Sequence, residues 1–232
     1  MIFAALILPM HSVEPKDASA GLSSYARVHP DVYDAALELF SDLKGQMAEL
    51  GFENPEFALS IVFPELMRYS MFKDELETLA TQLMYTAGPD SEGCSLGFFQ
   101  MKPIFAESVE VEIAKSPELK KKYSCIDFGG DRSTFSFRSR RIRRIRELKT
   151  QCAYLYAFMD ICTQKFSLGD MEPAERLCYL ATAYNAGFSW TKKQLESLME
   201  QKSYPNGSGN SRSKWNYSRI SLDFYLQQTA DK

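Results

Sequence analysis

Histidine is almost missing from this chain. The only two, His11 and His29, stand near its start, which removes most histidine-based metal sites and Ser/His/Asp nucleophilic chemistry. The five cysteines (Cys94, Cys125, Cys152, Cys162 and Cys178) are odd in number, irregular in spacing and without a Cys-x-x-Cys pair. Neither a zinc site nor a disulfide framework follows from them, although one disulfide would fit. No metal and no cofactor is expected. A long apolar run is also lacking: residues 2–9, Ile-Phe-Ala-Ala-Leu-Ile-Leu-Pro, are too short to span a bilayer. A formal net charge of -3 gives no overall drive toward nucleic acid. Clear series of alternating apolar and polar residues, the mark of strands, are absent. If the chain catalyses a reaction, carboxylates are expected to carry the acid-base chemistry.

What is present is an ordinary globular composition, 45% hydrophobic and 25% charged over 232 residues, enough for one domain with a sizeable core. Residues 2–9 have the length of a signal-peptide apolar region, and Ala18-Ser19-Ala20 resembles a cleavage site. Residues 1–30 therefore read as a leader for export and a linker, and residues 31–232 as the folded domain. Within it, Val32, Ala35, Ala36, Leu39, Leu43, Met47 and Leu50 repeat at helical period and predict a helix ending at Gly51. Asn54-Pro55 predicts the start of a second helix running to about Tyr69, distorted at Pro64. Further helices are expected over 72–85, 103–116, 174–185 and 215–228, with loops over 86–94, 120–136 and 204–214. The fold class is mainly α.

Six arginines and a lysine (Arg138, Arg140, Arg141, Arg143, Arg144, Arg146 and Lys149) crowd one short stretch. Ile142, Ile145, Leu148, Cys152, Leu155 and Met159 keep helical spacing through it. The arginines are thus expected on the outer face of one amphipathic helix reaching about Lys165, either as a solvated face or as a contact for acidic glycan, a membrane surface or another acidic partner.

Three segments carry candidate chemistry. Glu65 is a lone acid within Ile61-Val62-Phe63-Pro64-Glu65-Leu66-Met67. The run Ser95-Leu96-Gly97-Phe98-Phe99-Gln100-Met101-Lys102-Pro103 can make a close-packed corner that leaves Gln100 facing a ligand. Ala183-Tyr184-Asn185-Ala186-Gly187 closes a helix. In this order the three resemble the lytic transglycosylase and goose-type lysozyme superfamily, with its catalytic Glu, its Gly-Leu-Met-Gln-like segment and its Ala-Tyr-Asn segment, over roughly residues 45–228. Leu66 departs from the Ser that often follows the family's Glu, and Phe98 and Phe99 stand where Leu and Met are usual.

The resemblance implies a lysozyme-like helical fold with a substrate groove, no cofactor, peptidoglycan glycan strands as partner, and a place in the bacterial periplasm or cell envelope. It further implies cleavage of the bond between N-acetylmuramic acid and N-acetylglucosamine, with Glu65 as the single acid and base. Ser95, Gly97, Gln100, Tyr184, Asn185 and, from a late tyrosine segment, Tyr217 become substrate-binding positions, with Tyr184 holding or polarising Glu65. Physical chemistry supports the choice of acid, because apolar neighbours keep a carboxyl protonated near neutral pH. Two alternatives stay open: a hydrolysing muramidase in which Asp90 or Glu92 activates water, and a lysozyme-like protein that binds glycan without turnover. A helical adaptor using the arginines on nucleic acid or acidic membrane is a more distant reading.

Overall fold

The computed structural model describes residues 21–71, 95–128, 134–207 and 209–230. Among them are eleven α-helices, one 3-10 turn and one two-stranded ribbon. The helix expected over 72–85 and the loop carrying Asp90 and Glu92 lie outside the described residues. No described helix is long and apolar enough to cross a membrane.

After a short α1 (Leu22–Val28), α2 (Pro30–Glu49) begins on a proline, whose missing N–H is no loss in a first turn. It buries Ala36, Phe40, Leu43 and Met47 along one stripe. Gly51 stops it at a φ of +83°, with its N–H on the Ala48 carbonyl and the Phe52 N–H on the Met47 carbonyl, both at 3.0 Å. Asn54 then caps α3 (Pro55–Ile61) by accepting the Phe57 N–H at 3.4 Å. Residues 56–61 are all buried, so α3 is the rod against which later helices pack.

A single helix to about Tyr69 is not what forms. The chain breaks at Val62 (φ -104°, ψ 12°) and restarts as α4 (Phe63–Met71). Pro64 explains the break, since it has no N–H to bond back to Ser60. The N–H groups of Glu65 and Leu66 turn to the Val62 carbonyl instead, at 2.9 and 3.2 Å.

The chain continues through α5 (Pro103–Lys115), α6 (Pro117–Lys122), the 3-10 turn Ser124–Ile126, α7 (Phe135–Ile145), α8 (Leu148–Lys165), α9 (Pro173–Ala186) and α10 (Lys192–Met199). Two expectations need correction here. The arginine helix is not continuous to Lys165, because Arg146 and Glu147 interrupt it, Glu147 adopting extended backbone. Nor do all its arginines face outward. Arg141 is 0% exposed; its Nε and Nη2 donate to Glu110 at 2.8 and 2.6 Å, and Nη1 donates to Glu107 at 2.7 Å. The Tyr154 hydroxyl adds a fourth bond, to Glu110, at 2.6 Å. A guanidinium without this cage would be too costly to bury.

Strands β1 (Lys202–Tyr204) and β2 (Trp215–Asn216) pair antiparallel, with Lys202 opposite Asn216 and Tyr204 opposite Trp215. Sequence periodicity is mute over segments this short, and Trp215 is a strand residue rather than the start of the last helix. That helix, α11 (Tyr217–Ala230), starts where the Asn216 side chain accepts the Arg219 N–H at 2.8 Å. It packs along α9 and α3. Helices α1, α6 and α10 also go beyond the sequence reading. α1 falls in a stretch that reads as a lead-in, yet Leu22 and Tyr25 are buried.

Two aromatic clusters organise the core. Phe63 stacks on Phe224 with centroids 3.6 Å apart, and Phe40 meets Phe224 edge-on at 4.8 Å. Phe105, Phe158, Tyr184 and Phe188 form the second, with centroids 5.0 to 5.7 Å apart. Cys152 and Cys162 are free and buried as small hydrophobes, burial pushing the Cys152 thiol up to about 12.

Candidate functional site

The break at Val62 places Glu65 in the first turn of α4, on the wall of a cleft of about 790 Å³. Ser95, Gln100, Tyr184 and Asn185 border the same cleft, so residues from distant parts of the chain meet there. Glu65 is 4% exposed. Burial raises its carboxyl above the usual range, against the opposing pull of Arg68, the nearby Tyr217 hydroxyl and Lys102. Arg68, one turn later on α4, brings Nη1 to 3.1 Å from Glu65 Oε2, and its Nη2 donates to the Pro205 carbonyl at 2.6 Å. Its guanidinium is driven above its ordinary range, chiefly by the Glu65 charge.

Around this pair stand three tyrosines, Tyr184, Tyr204 and Tyr217. All have hydroxyls pushed well above 10 by burial, with the Glu65 charge adding to it. Tyr217, expected to touch substrate, is instead a buried neighbour of Glu65 that does not border the cleft. Neither its hydroxyl, nor that of Tyr204, nor Glu65 Oε2 has a well-directed hydrogen bond among the described residues.

The segment from Ser95 is a tight loop. Leu96 and Met101 exchange backbone hydrogen bonds at 3.0 and 2.9 Å. Gly97 takes a φ of +70° and has the amide of Gln151 against it, so a Cβ there would lie 2.3 Å from Gln151 Nε2. Gln151 in turn accepts the Phe99 N–H at 3.1 Å. Gly97, expected among the substrate contacts, therefore supports the loop from behind and does not border the cleft. Gln100 does border it, at a φ of +47° that is unfavourable for a residue with a side chain. Its amide donates to the Gly97 carbonyl at 3.0 Å.

Tyr184 and Asn185 tie the walls together. The Tyr184 hydroxyl donates to the Phe99 carbonyl at 2.8 Å, so it holds the loop rather than Glu65. The Asn185 amide donates to Ser203 Oγ at 3.0 Å and so secures β1. One helix turn thus braces both sides of the acid. Asp90 and Glu92 lie outside the described residues. Three contributors escape the sequence reading. Arg68 had a usable signal, since three residues after Glu65 puts it on the same helix face; Lys102 and Gln151 had none. Among the described residues no three His, Cys, Asp or Glu side chains are grouped to hold a metal ion.

No protein-family model, no curated protein and no solved structure matches this chain.

Proposed function

We propose that the protein is a peptidoglycan-cleaving glycosidase, a lytic transglycosylase of lysozyme-like fold working in the bacterial cell envelope. The observation that carries the reading is Glu65: an acid whose carboxyl burial pushes above its usual range, set on the wall of a cleft bordered by Ser95, Gln100, Tyr184 and Asn185. A strand lying in the cleft presents its glycosidic oxygen to the carboxyl. Glu65 donates its proton as the bond to the leaving sugar breaks. The carboxylate left behind is stabilised by the Arg68 guanidinium at 3.1 Å. It then removes the proton of the sugar's C6 hydroxyl, whose oxygen closes on C1 to give a 1,6-anhydro end, and Glu65 is protonated again. Burial and Arg68 act oppositely on the same group, which suits a residue that must be acid and base in turn. Gln100 and Asn185 supply polar contacts to the strand, the latter toward an acetamido group.

The Arg68 pair also favours a second reading, glycan binding without turnover, because an ion-paired carboxylate cannot donate a proton. Incubation with purified peptidoglycan followed by mass spectrometry of the soluble products separates the two. Anhydro-ended muropeptides support the proposal; ordinary reducing ends transfer it to a hydrolase with water activated by Asp90 or Glu92. An undigested polymer that still retains the protein leaves the binding reading.

A further inference from the structure

The cleft wall formed by residues 184–189 runs out at Trp190, which is 40% exposed. A large apolar ring left in water is informative when something holds it there. Here the indole N–H donates to the carbonyl of Ala186, itself a cleft-lining residue, at 3.0 Å. The ring is therefore pinned at the cleft rim. On its other side Thr191 and Gln194 close a capping box that fixes the start of α10. Beyond lies a shallow depression of about 440 Å³ lined by Trp190, Thr191, Lys193, Gln194, Ser197 and Leu198.

The chemistry of that depression narrows its ligand. The indole N–H is already used, so the ring offers its face and not a hydrogen bond. The Gln194 amide oxygen is engaged with Thr191, and Ser197 donates to the Lys193 carbonyl. What remains is one flat apolar face with an ammonium beside it. A helical peptide needs several apolar anchors in register, and this depression has one ring and Leu198. A pyranose needs one: its C–H face matches the indole in size while its hydroxyls stay in water. Resting on the glycan-cleavage reading of the cleft, we propose that Trp190 is the floor of a distal sugar subsite. It stacks a residue of the same strand whose neighbours fill the cleft, with Lys193 set toward a carboxylate carried by that strand. The preorganised ring loses little freedom on binding, so the subsite lengthens the stretch of glycan recognised.

The test uses Glu65→Gln protein, so that nothing is cut, titrated with peptidoglycan glycan fragments from disaccharide to octasaccharide. The chain has two tryptophans, and Trp215 is 6% exposed, so an emission change on binding reports Trp190. The longest fragments should shift the emission and bind roughly tenfold more tightly than they bind Glu65→Gln/Trp190→Ala, the size expected of one stacked ring. The shortest fragment should bind the two alike, and Trp190→Phe should restore most of the difference. Equal affinity of the longest fragment for Glu65→Gln and for Glu65→Gln/Trp190→Ala overturns the subsite and leaves the cleft reading standing. Absence of binding by every fragment, to wild type and Glu65→Gln alike, overturns the cleft reading and the subsite with it.

Discussion

Removing the charge of Arg68 tests how the acid is tuned. At 3.1 Å and an effective dielectric constant of about 20, the bare attraction between Arg68 and an ionised Glu65 is about 5 kcal/mol. Part of that is offset by desolvating the guanidinium, and breaking buried pairs typically costs about 3–5 kcal/mol. Since about 1.4 kcal/mol moves a titration by one pH unit, even a quarter of the attraction is visible. The sign follows from the proposed mechanism: there Glu65 must carry its proton to act, so activity should be lost as pH rises through its pKa. Arg68 holds that pKa down against burial, and Lys102 and Tyr217 pull the same way, while Tyr184 and Tyr204 face it as neutral groups. Arg68→Met should therefore move the high-pH limb of kcat/KM upward by at least about one pH unit, and lower the peak rate because the carboxylate loses its counter-charge. Arg68→Lys should keep the limb near its wild-type position. Stability must follow the same group. Glu65 holds its proton to higher pH in the folded chain than in the unfolded one, so its contribution is whole below the unfolded pKa and fades as pH rises through the folded value. In Arg68→Met the fade is larger and ends at higher pH, measurable as urea midpoints from about pH 4 to about pH 8. A limb that stays put or moves toward acid in Arg68→Met would refute this account of the pair.

Glu65→Gln should lower cleavage of peptidoglycan by two or more orders of magnitude, as expected for loss of a general acid, while circular dichroism stays native; turnover near wild type in the folded variant sinks the assignment. Tyr184→Phe strands the buried Phe99 carbonyl and should cost about 1–3 kcal/mol, read as a lower thermal midpoint together with slower cleavage. Gly97→Ala places a Cβ against the Gln151 amide at a φ of +70° and should destabilise by about 1–3 kcal/mol; pairing it with Gln151→Ala should recover only part of that, since the backbone strain remains. Gln at Arg140, Arg143 and Arg146, all exposed, should weaken co-sedimentation with anionic sacculi at low salt while short soluble fragments are still cut. Unchanged sedimentation would make that face a solvated surface only.

The helical class and most long helices were legible because apolar spacing and proline or glycine punctuation agree, as in α2, where Pro30 and Gly51 bracket the stripe. The cleft residues were legible one at a time, as motifs whose meaning depends on meeting in space. Their division of labour was not. Gly97 reads as a ligand contact but backs the loop, and Tyr184 braces that loop as well as bordering the cleft; only the positions of Phe99 and Gln151, 85 and 52 residues away in the relevant hydrogen bonds, reveal the bracing. The short elements escaped for a different reason. α1, α6 and α10 span 7, 6 and 8 residues, about two turns or fewer, too few to show a period. The burial of Arg141 was hidden because an arginine among arginines reads as surface, and its acids come from another helix.

That buried arginine has a mechanical meaning. Arg141 belongs to α7, whereas Glu107 and Glu110 belong to α5, and Glu107 borders the cleft. The cage joining them works as a rivet through two plates: the basic exterior of α7 and one wall of the cleft cannot pivot independently. Anything that Arg140, Arg143 and Arg146 grip from outside is then set at a constant angle to the opening in which Glu65 sits. A molecule held that way would meet a flat polymer with its mouth always turned in the same direction, and orientation would be inherited from adhesion.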